Sequence, residues 1–262
     1  MPSEKIITKK ENGIGWLILN NPERHNAISL EMWNAALETM QDFTADKSVR
    51  VMVLTGAGVK AFASGADISK FKDERQEAEA VAHYQASTQK AYDALLGMQI
   101  PTVAMIRGYC IGGGTAVAVC CDIRICAENA KFGVPAAKLG LGYGMNRAKP
   151  LVDLIGPAYA KEMFFTGRQF TAQEAEKMGL VNRVVPDDKL EATVDELAKT
   201  IAENAPLTVK CAKLVVGEVL KDPENRDLAA AERAVKACFE SADYKEGQAA
   251  FMEKRKPRFI GA

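Results

Sequence analysis

Two short segments of the chain place small residues and backbone N–H groups directly after apolar runs. The first, Lys60-Ala-Phe-Ala-Ser-Gly-Ala-Asp-Ile68, follows Val51-Met-Val-Leu-Thr-Gly56. The second, Arg107-Gly-Tyr-Cys-Ile-Gly-Gly-Gly-Thr115, follows Pro101-Thr-Val-Ala-Met-Ile106. Gly112-Gly113-Gly114 opens an apolar helical stretch, whose first N–H groups lack intrahelical acceptors and lie at the positive end of the helix dipole. One N–H from each segment, aimed at a single oxygen, would stabilise negative charge developing on a carbonyl. Taken singly, each segment is better read as glycine permitting tight strand-to-helix packing. The pair, at the same relative place after two apolar strands, weakens that bland reading.

Other chemistries lack their residues. Gly56-Ala-Gly58 and Gly140-Leu-Gly142-Tyr-Gly144 fail the dinucleotide-binding pattern at its third glycine, and no Gly-Lys-Ser/Thr phosphate loop is present. The His-Glu-x-x-His and Gly-x-Ser-x-Gly patterns are also missing. His25 and His83 are the only histidines, which argues against a His-rich metal site; they read as structural or exposed. The cysteines, Cys110, Cys120, Cys121, Cys126, Cys211 and Cys238, have no Cys-x-x-Cys spacing and read as reduced thiols of a cytoplasmic protein.

The elements that must carry the two segments follow from patterning. Residues 4–9 and 14–20 read as two strands joined by a turn at Glu11-Asn12-Gly13. Ser29 is a candidate N-cap for a helix through Phe43, with Met32, Ala36, Met40 and Phe43 on one stripe. Residues 51–56 and 101–106 have the continuous apolar character of buried parallel strands. A long helical stretch over 76–98 separates them. Residues 108–114 read as a glycine-rich turn and Thr115 onward as a short apolar helix. Strands alternating with helices predict an α/β fold of repeated β-β-α units with parallel sheets. After Pro186 the pattern is helical throughout, over 187–203, 206–220, 224–240 and 243–254. The expected organisation is therefore a core over 1–200 and a C-terminal helical subdomain over 201–262 that packs on the body or on a second subunit.

The chain has 262 residues, 48% apolar and 26% charged, enough to bury a full core without disulfides or metals. Lys+Arg and Asp+Glu both number 34, so the formal net charge is zero. No whole-molecule field draws it to nucleic acid or an anionic membrane. No apolar run approaches the roughly 18 residues that would span a bilayer, and the N-terminus is polar without a signal-peptide pattern.

A set of further motifs, in order along essentially the whole chain, resembles the crotonase family, also called the enoyl-CoA hydratase/isomerase family. They are Pro22-Glu-Arg-His-Asn-Ala27, Ala61-Phe-Ala-Ser-Gly-Ala-Asp-Ile68, Gly108-Tyr-Cys-Ile-Gly-Gly-Gly114 and Cys121-Asp122. Phe132-Gly133, Phe165-Thr-Gly-Arg168, Ala175-x-x-x-Gly-Leu-Val-Asn182 and Glu253-Lys-Arg-Lys-Pro257 continue the series. The resemblance implies a β-β-α spiral core with a C-terminal helical trimerisation subdomain, assembled as a homotrimer or a dimer of trimers. It implies acyl-CoA thioester substrates, an enolate-type intermediate, and no cofactor beyond coenzyme A as part of the substrate. By the same resemblance the oxyanion-hole donors are the N–H groups of Ala66 and Gly113. The CoA and acyl-binding positions are Arg24, Ala27, Ala63, Ser64, Ile68, Phe251 and Lys254. Asp67 is expected to cap the following helix. Lys254 is otherwise read as part of a solvated, charged helix end.

The departures from the family pattern are informative. Hydratases of the family carry two glutamates that position and activate water; those places here are Ala116 and Ala136. A positioned acid or base contributes roughly 10²–10⁴-fold in rate, so ordinary enoyl-CoA hydration is expected to be weak. In the loop Gly140-Leu-Gly-Tyr-Gly-Met-Asn-Arg147, Tyr143, Asn146 and Arg147 are unusual polar residues for the place. Tyr143 and the tail Asp243-Tyr-x-Glu-Gly resemble the methylmalonyl-CoA decarboxylase branch. Tyrosine at pH 7 is a proton donor and a poor base; it is equally read as an aromatic packing under the acyl pocket, and Arg147 as a surface or interface charge. The open readings are thus an enolate-stabilising acyl-CoA lyase or isomerase, a (methyl)malonyl-CoA-type decarboxylase or acyl-CoA hydrolase or lyase using Tyr143, and a non-catalytic acyl-CoA-binding homologue. RNA binding, ascribed to some relatives, is disfavoured by the neutral charge and the lack of a basic, aromatic-interleaved stripe.

Overall fold

The computed structural model describes residues 4–67 and 78–262. Strands β1 (Ile6–Glu11) and β2 (Ile14–Leu19) form a hairpin. Its turn uses positive φ at Asn12 (50°) and Gly13 (80°), as a two-residue hairpin turn requires. Helix α1 (Leu30–Ala45) starts where Ser29 accepts a hydrogen bond from the Met32 N–H, and it buries Met32, Trp33, Ala36, Met40 and Phe43, the expected stripe with Trp33 added. Three β-β-helix turns follow. They are β3 (Val51–Gly56) and β4 (Ala61–Ala63) before α2 (Ala78–Leu96), then β5 (Thr102–Ile106) and β6 (Tyr109–Ile111) before α3 (Gly113–Cys120), then β7 (Ile123–Ala127) and β8 (Lys131–Gly133) before α4 (Met145–Thr166). Helix α4 is broken at Gly156, whose φ is 72°. The body closes with β9 (Phe170–Thr171), α5 (Ala172–Lys177) and β10 (Arg183–Val185).

In each β-β-helix turn the first strand joins one sheet and the second strand the other. The larger sheet has order β1-β2-β3-β5-β7-β10, parallel except for the hairpin. The smaller has order β4-β6-β8-β9. This is the repeated β-β-α unit expected from the sequence. One expectation is corrected: residues 108–114 are not simply a turn. Tyr109–Ile111 pair with both β4 and β8, and the helix begins at Gly113, two residues before Thr115. A three-residue strand is too short to show alternation, and Gly112, with φ 57°, reverses the chain in a single residue.

The larger sheet is buried on both faces, which is why β3 and β5 read as continuous apolar runs. In β3, Met52 and Leu54 face the main core with α1 and α2, whereas Val51 and Val53 face a second cluster beneath helix α6 (Leu190–Glu203). Leu190, Val194, Ala198 and Ala202 fill that second face at a spacing of four residues. Beyond α6 come α7 (Pro206–Val219), α8 (Leu228–Glu240) and α9 (Ala242–Glu253). The helix expected from residue 224 starts at Leu228, because Pro223–Asn225 form a 3-10 turn and Asp227 caps the Ala230 N–H. Lys213 ties α7 to the body through Asp122 (2.7 Å) and the Ile100 carbonyl (2.9 Å). Arg50 does the same for the C-terminal segment through the Phe259 carbonyl. Among the described residues, no helix is long and apolar enough to cross a membrane.

Candidate functional site

The two glycine-containing segments meet. Gly65 has a φ of 107°, and a Cβ placed on it would sit 3.3 Å from the Gly113 nitrogen. A Cβ on Gly113 would lie 3.4 Å from the Gly65 Cα and 3.6 Å from the Ala66 nitrogen. The Ala66 and Gly113 N–H groups therefore flank one small space. Among the described residues neither donates to a backbone acceptor. Gly113 is the first residue of α3, so its N–H has no partner within the helix. Gly114, one residue on, must be glycine: a Cβ there would collide with the Ala63 carbonyl.

The loop after β2 holds this arrangement from the other side. Ile28 N–H donates to the Gly65 carbonyl (2.8 Å) and Asp67 N–H to the Ile28 carbonyl (3.1 Å), which bridges Ile28 to Ala66 and fixes the Ala66 peptide. Ser64 N–H donates to the His25 carbonyl and the Ser64 hydroxyl to that of Arg24. Asn26 is fully buried at a φ of 54°. Its amide donates to the Ala57 (3.0 Å) and Ala61 (2.7 Å) carbonyls, and its oxygen accepts from Asn21 N–H. Asn is among the few residues that tolerate that backbone conformation, and it satisfies two buried backbone groups and one half-buried one there. Sequence reading quoted Asn26 within a motif without giving it this part. On the far side of α3, Gly112 N–H donates to the Gly133 carbonyl (2.7 Å), and the Thr115 hydroxyl donates to Cys110 O.

Arg24, Ala27, Ala63, Ser64 and Ala66 are thus brought together with Gly113. Arg24 pairs with the buried Asp67 at 3.3 Å. Asp67 was expected to cap the next helix; its carboxylate meets the Arg24 guanidinium, and the helix start that it was expected to cap lies outside the described residues, as does Ile68. Ala116 and Ala136 are buried, Ala116 on α3 and Ala136 beside Pro135, whose Cδ approaches Gly112. Phe251 and Lys254 do not join this cluster within the chain. Phe251 is 83% exposed on α9, Lys254 ends that helix with a φ of 53°, and among the described residues neither makes a hydrogen bond, ion pair or ring contact with the loops.

Beyond the two loops, one tyrosine touches Gly113 and a second stands close to the first. Tyr92 on α2 was not foreseen. Its hydroxyl donates to the Gly113 carbonyl at 3.4 Å, and its ring packs on Trp33 at 5.0 Å. The sequence signal was a stripe of hydroxyl-bearing residues, Tyr84, Thr88 and Tyr92, spaced by four on one helix face. Tyr143 packs on Phe164 at 4.9 Å. Burial pushes its phenol up to about 12, with Arg147 opposing the rise. Burial likewise raises Tyr92, and the neighbouring Tyr143 adds to it. Both phenols stay protonated at neutral pH and are donors, not bases. Burial also pushes Cys120 up to about 12, so its thiol is no nucleophile. Among the described residues no group of three His, Cys, Asp or Glu side chains could hold a metal ion.

An open cleft of about 740 Å³ lies in the C-terminal segment, and its acids serve to hold the chain end. Asp243 accepts from the Ile260 and Gly261 N–H groups, and Glu246 holds Arg255 at 2.6 Å. The space between Ala66 and Gly113, bounded by donors without acceptors among the described residues, is the candidate site.

Comparison with known proteins bears on what these loops do. The family model described as enoyl-CoA hydratase/isomerase matches residues 9–262. A crotonyl-CoA hydratase from Syntrophomonas wolfei subsp. wolfei is 35% identical, over 99% of both chains. A short-chain-enoyl-CoA hydratase from Clostridium acetobutylicum is 34% identical, covering 98% of this chain and 97% of its own. Among solved structures, an enoyl-CoA hydratase/carnitine racemase from Magnetospirillum magneticum superposes with a TM-score of 0.94 at 38% identity, over 99% of this chain and 97% of that one.

Proposed function

The chain belongs to the enoyl-CoA hydratase/isomerase family and is an enzyme acting on CoA thioesters; on that premise, we propose that it works by holding a thioester enolate oxygen between the Ala66 and Gly113 N–H groups. The observation that carries this reading is the juxtaposition of the two donors across Gly65. Both belong to the backbone and are fixed by sheet and helix contacts, so they need no reorganisation as charge develops. Polarising the thioester carbonyl would acidify Cα, weaken bonds to it, and stabilise the enolate formed when one of them breaks.

What happens at Cα and Cβ depends on proton-transfer groups. The relatives' names point to water addition, but Ala116 and Ala136 stand at the two places where the family's hydratases carry glutamates, and alanine moves no proton. We therefore expect crotonyl-CoA hydration to be slow. A second reading, decarboxylation of a malonyl-type thioester, is favoured by Tyr143: a half-buried, protonated phenol close to Tyr92 suits protonation of an enolate after carbon dioxide departs. That reaction needs an oxyanion hole and an acid, and no strong base. The substrate's CoA moiety would lie toward Arg24. Phe251 and Lys254 would reach a site only from a neighbouring protomer's tail. The exposure of Val219 (63%), Leu220 (65%), Leu228 (64%) and Phe251 (83%) on α7–α9 supports a C-terminal subdomain over 201–262 that assembles a homotrimer or dimer of trimers.

The test is turnover against a panel of CoA thioesters, following hydration, decarboxylation and hydrolysis in parallel. Crotonyl-CoA hydration should run below about 1 s⁻¹, a tenth of the median enzyme rate. Hydration near that median would overturn the role given to Ala116 and Ala136. A protein that binds the thioesters and processes none would be a binding homologue.

A further inference from the structure

Among the described residues, Arg147 is a half-buried arginine that pairs with no carboxylate and makes a single hydrogen bond. Arg107 pairs with Asp187 and Glu191, and Arg168 with Glu162 and Glu174. Arg124 and Arg50 spread their donors over backbone carbonyls. Arg147 has one hydrogen bond, from Nη2 to the Thr88 hydroxyl at 3.0 Å, and its Cζ stands 5.3 Å from the centre of the Tyr92 ring. A guanidinium has five N–H donors, so most are unspent among the described residues. Its position makes the imbalance worse. Arg147 lies in the first turn of α4, at the positive end of the helix dipole, and that turn holds no acidic residue. The nearest cation–acid pair on the same helix, Lys149 with Asp153, is internal to itself at 2.7 Å.

The surroundings fix what would complete the site. Tyr92, which carries the guanidinium against its ring, places its own hydroxyl on the Gly113 carbonyl. One aromatic ring therefore separates Arg147 from Gly113, the residue whose N–H borders the space next to Ala66. Tyr143 borders the same region. A planar anion accepting two parallel N–H bonds matches the fork of a guanidinium, and a carboxylate is such an anion. The Tyr143 phenol is protonated and can donate to it as well, whereas the Tyr92 hydroxyl is already given to the Gly113 carbonyl.

We propose that Arg147 recognises a carboxylate at the far end of the substrate's acyl chain, so that the enzyme takes short dicarboxylic acyl-CoA thioesters in preference to simple fatty acyl-CoA. This rests on the thioester carbonyl being held at Ala66 and Gly113, and it names the substrate class of that site. The acyl chain would run from the two N–H groups past the edge of Tyr92 to Arg147. An apolar chain of equal length would leave the guanidinium unpaired and partly desolvated, which penalises the wrong substrate.

The test compares dissociation constants by calorimetry for glutaryl-CoA against pentanoyl-CoA and succinyl-CoA against butyryl-CoA. Each pair shares its chain length and differs in the terminal group. The native protein should bind at least one dicarboxylic member roughly tenfold to a hundredfold more tightly than its partner, the range for hydrogen bonds to a charged group. Arg147→Gln should bring that ratio close to one, and Arg147→Lys should restore part of it. A native protein with no preference in either pair would overturn the assignment, as would a folded Arg147→Gln that keeps the preference. If Arg147→Gln does not fold, the native ratio and Arg147→Lys still decide. Because binding is read without turnover, loss of the enolate reading would show as absent catalysis with the ratio unchanged.

Discussion

Replacing Gly113 by proline removes one hydrogen and tests the two-donor arrangement directly. Gly113 is the first residue of α3, where the backbone N–H has no helical partner and proline's fixed φ suits the helix. The added Cβ would meet the Gly65 Cα at 3.4 Å and the Ala66 nitrogen at 3.6 Å, both ordinary van der Waals separations. The residue before it, Gly112, has φ 57° and ψ −114°, so it is already outside the helical region that a following proline disfavours. The pyrrolidine Cδ takes the place of the amide hydrogen and points into the space where the carbonyl oxygen would lie. One of two donors is lost, and removal of one such donor costs roughly 10²–10³ in kcat, about 2.7–4 kcal/mol. Gly113→Ala is the matched control. It adds the same Cβ and keeps the N–H, so its kcat should stay within about tenfold of native, a loss of no more than about 1.4 kcal/mol. The assay is steady-state turnover of whichever thioester the native protein processes, on variants whose melting temperatures show them folded. CoA affinity should be retained in both, since Arg24 is untouched. A folded Gly113→Pro with native kcat would refute the reasoning and return the glycine triplet to a packing role.

Further perturbations test the surroundings of that space. Gly114→Ala drives a methyl into the Ala63 carbonyl; thermal unfolding should show a loss of about 1–3 kcal/mol, the usual effect of overpacking. Tyr143→Phe should lower kcat by roughly 10²-fold if the phenol delivers a proton, with little change in thioester affinity. Because burial holds that phenol neutral up to about 12, the unfolded chain gives up the proton first as pH rises. The stability it provides is complete below pH 10 and lost between about 10 and 12, so Tyr143→Phe should flatten the fall in melting temperature over that window. A thiol reagent at pH 8 should modify Cys211 and Cys238, which are half-exposed, in the folded protein and leave the buried Cys110, Cys120, Cys121 and Cys126 unreacted; rapid modification of all six without unfolding would contradict the packing of α3 and β7.

Much of this fold was legible in the residues because its determinants are local. The continuous apolar runs of β3 and β5 require burial on both faces, Ser29 stops the chain from entering α1 early, and Asn12-Gly13 accepts the positive φ of a hairpin turn. The two glycine-containing loops could be paired on paper because each follows a strand of the same sheet. Three features were decided only by tertiary contacts. Strand β6 is three residues long and exists because β4 and β8 lie on either side of it. Asn26 matters through carbonyls about 30 residues away in sequence, at Ala57 and Ala61, and no spacing rule connects them. Tyr92 and Arg147 sit on separate helices, and only the packing of α2 against α3 and α4 puts the hydroxyl of one on the Gly113 carbonyl and the charge of the other over its ring. Periodicity tells which face of a helix is buried. What that face touches is set by long-range packing, and so is whether a guanidinium there finds an acid.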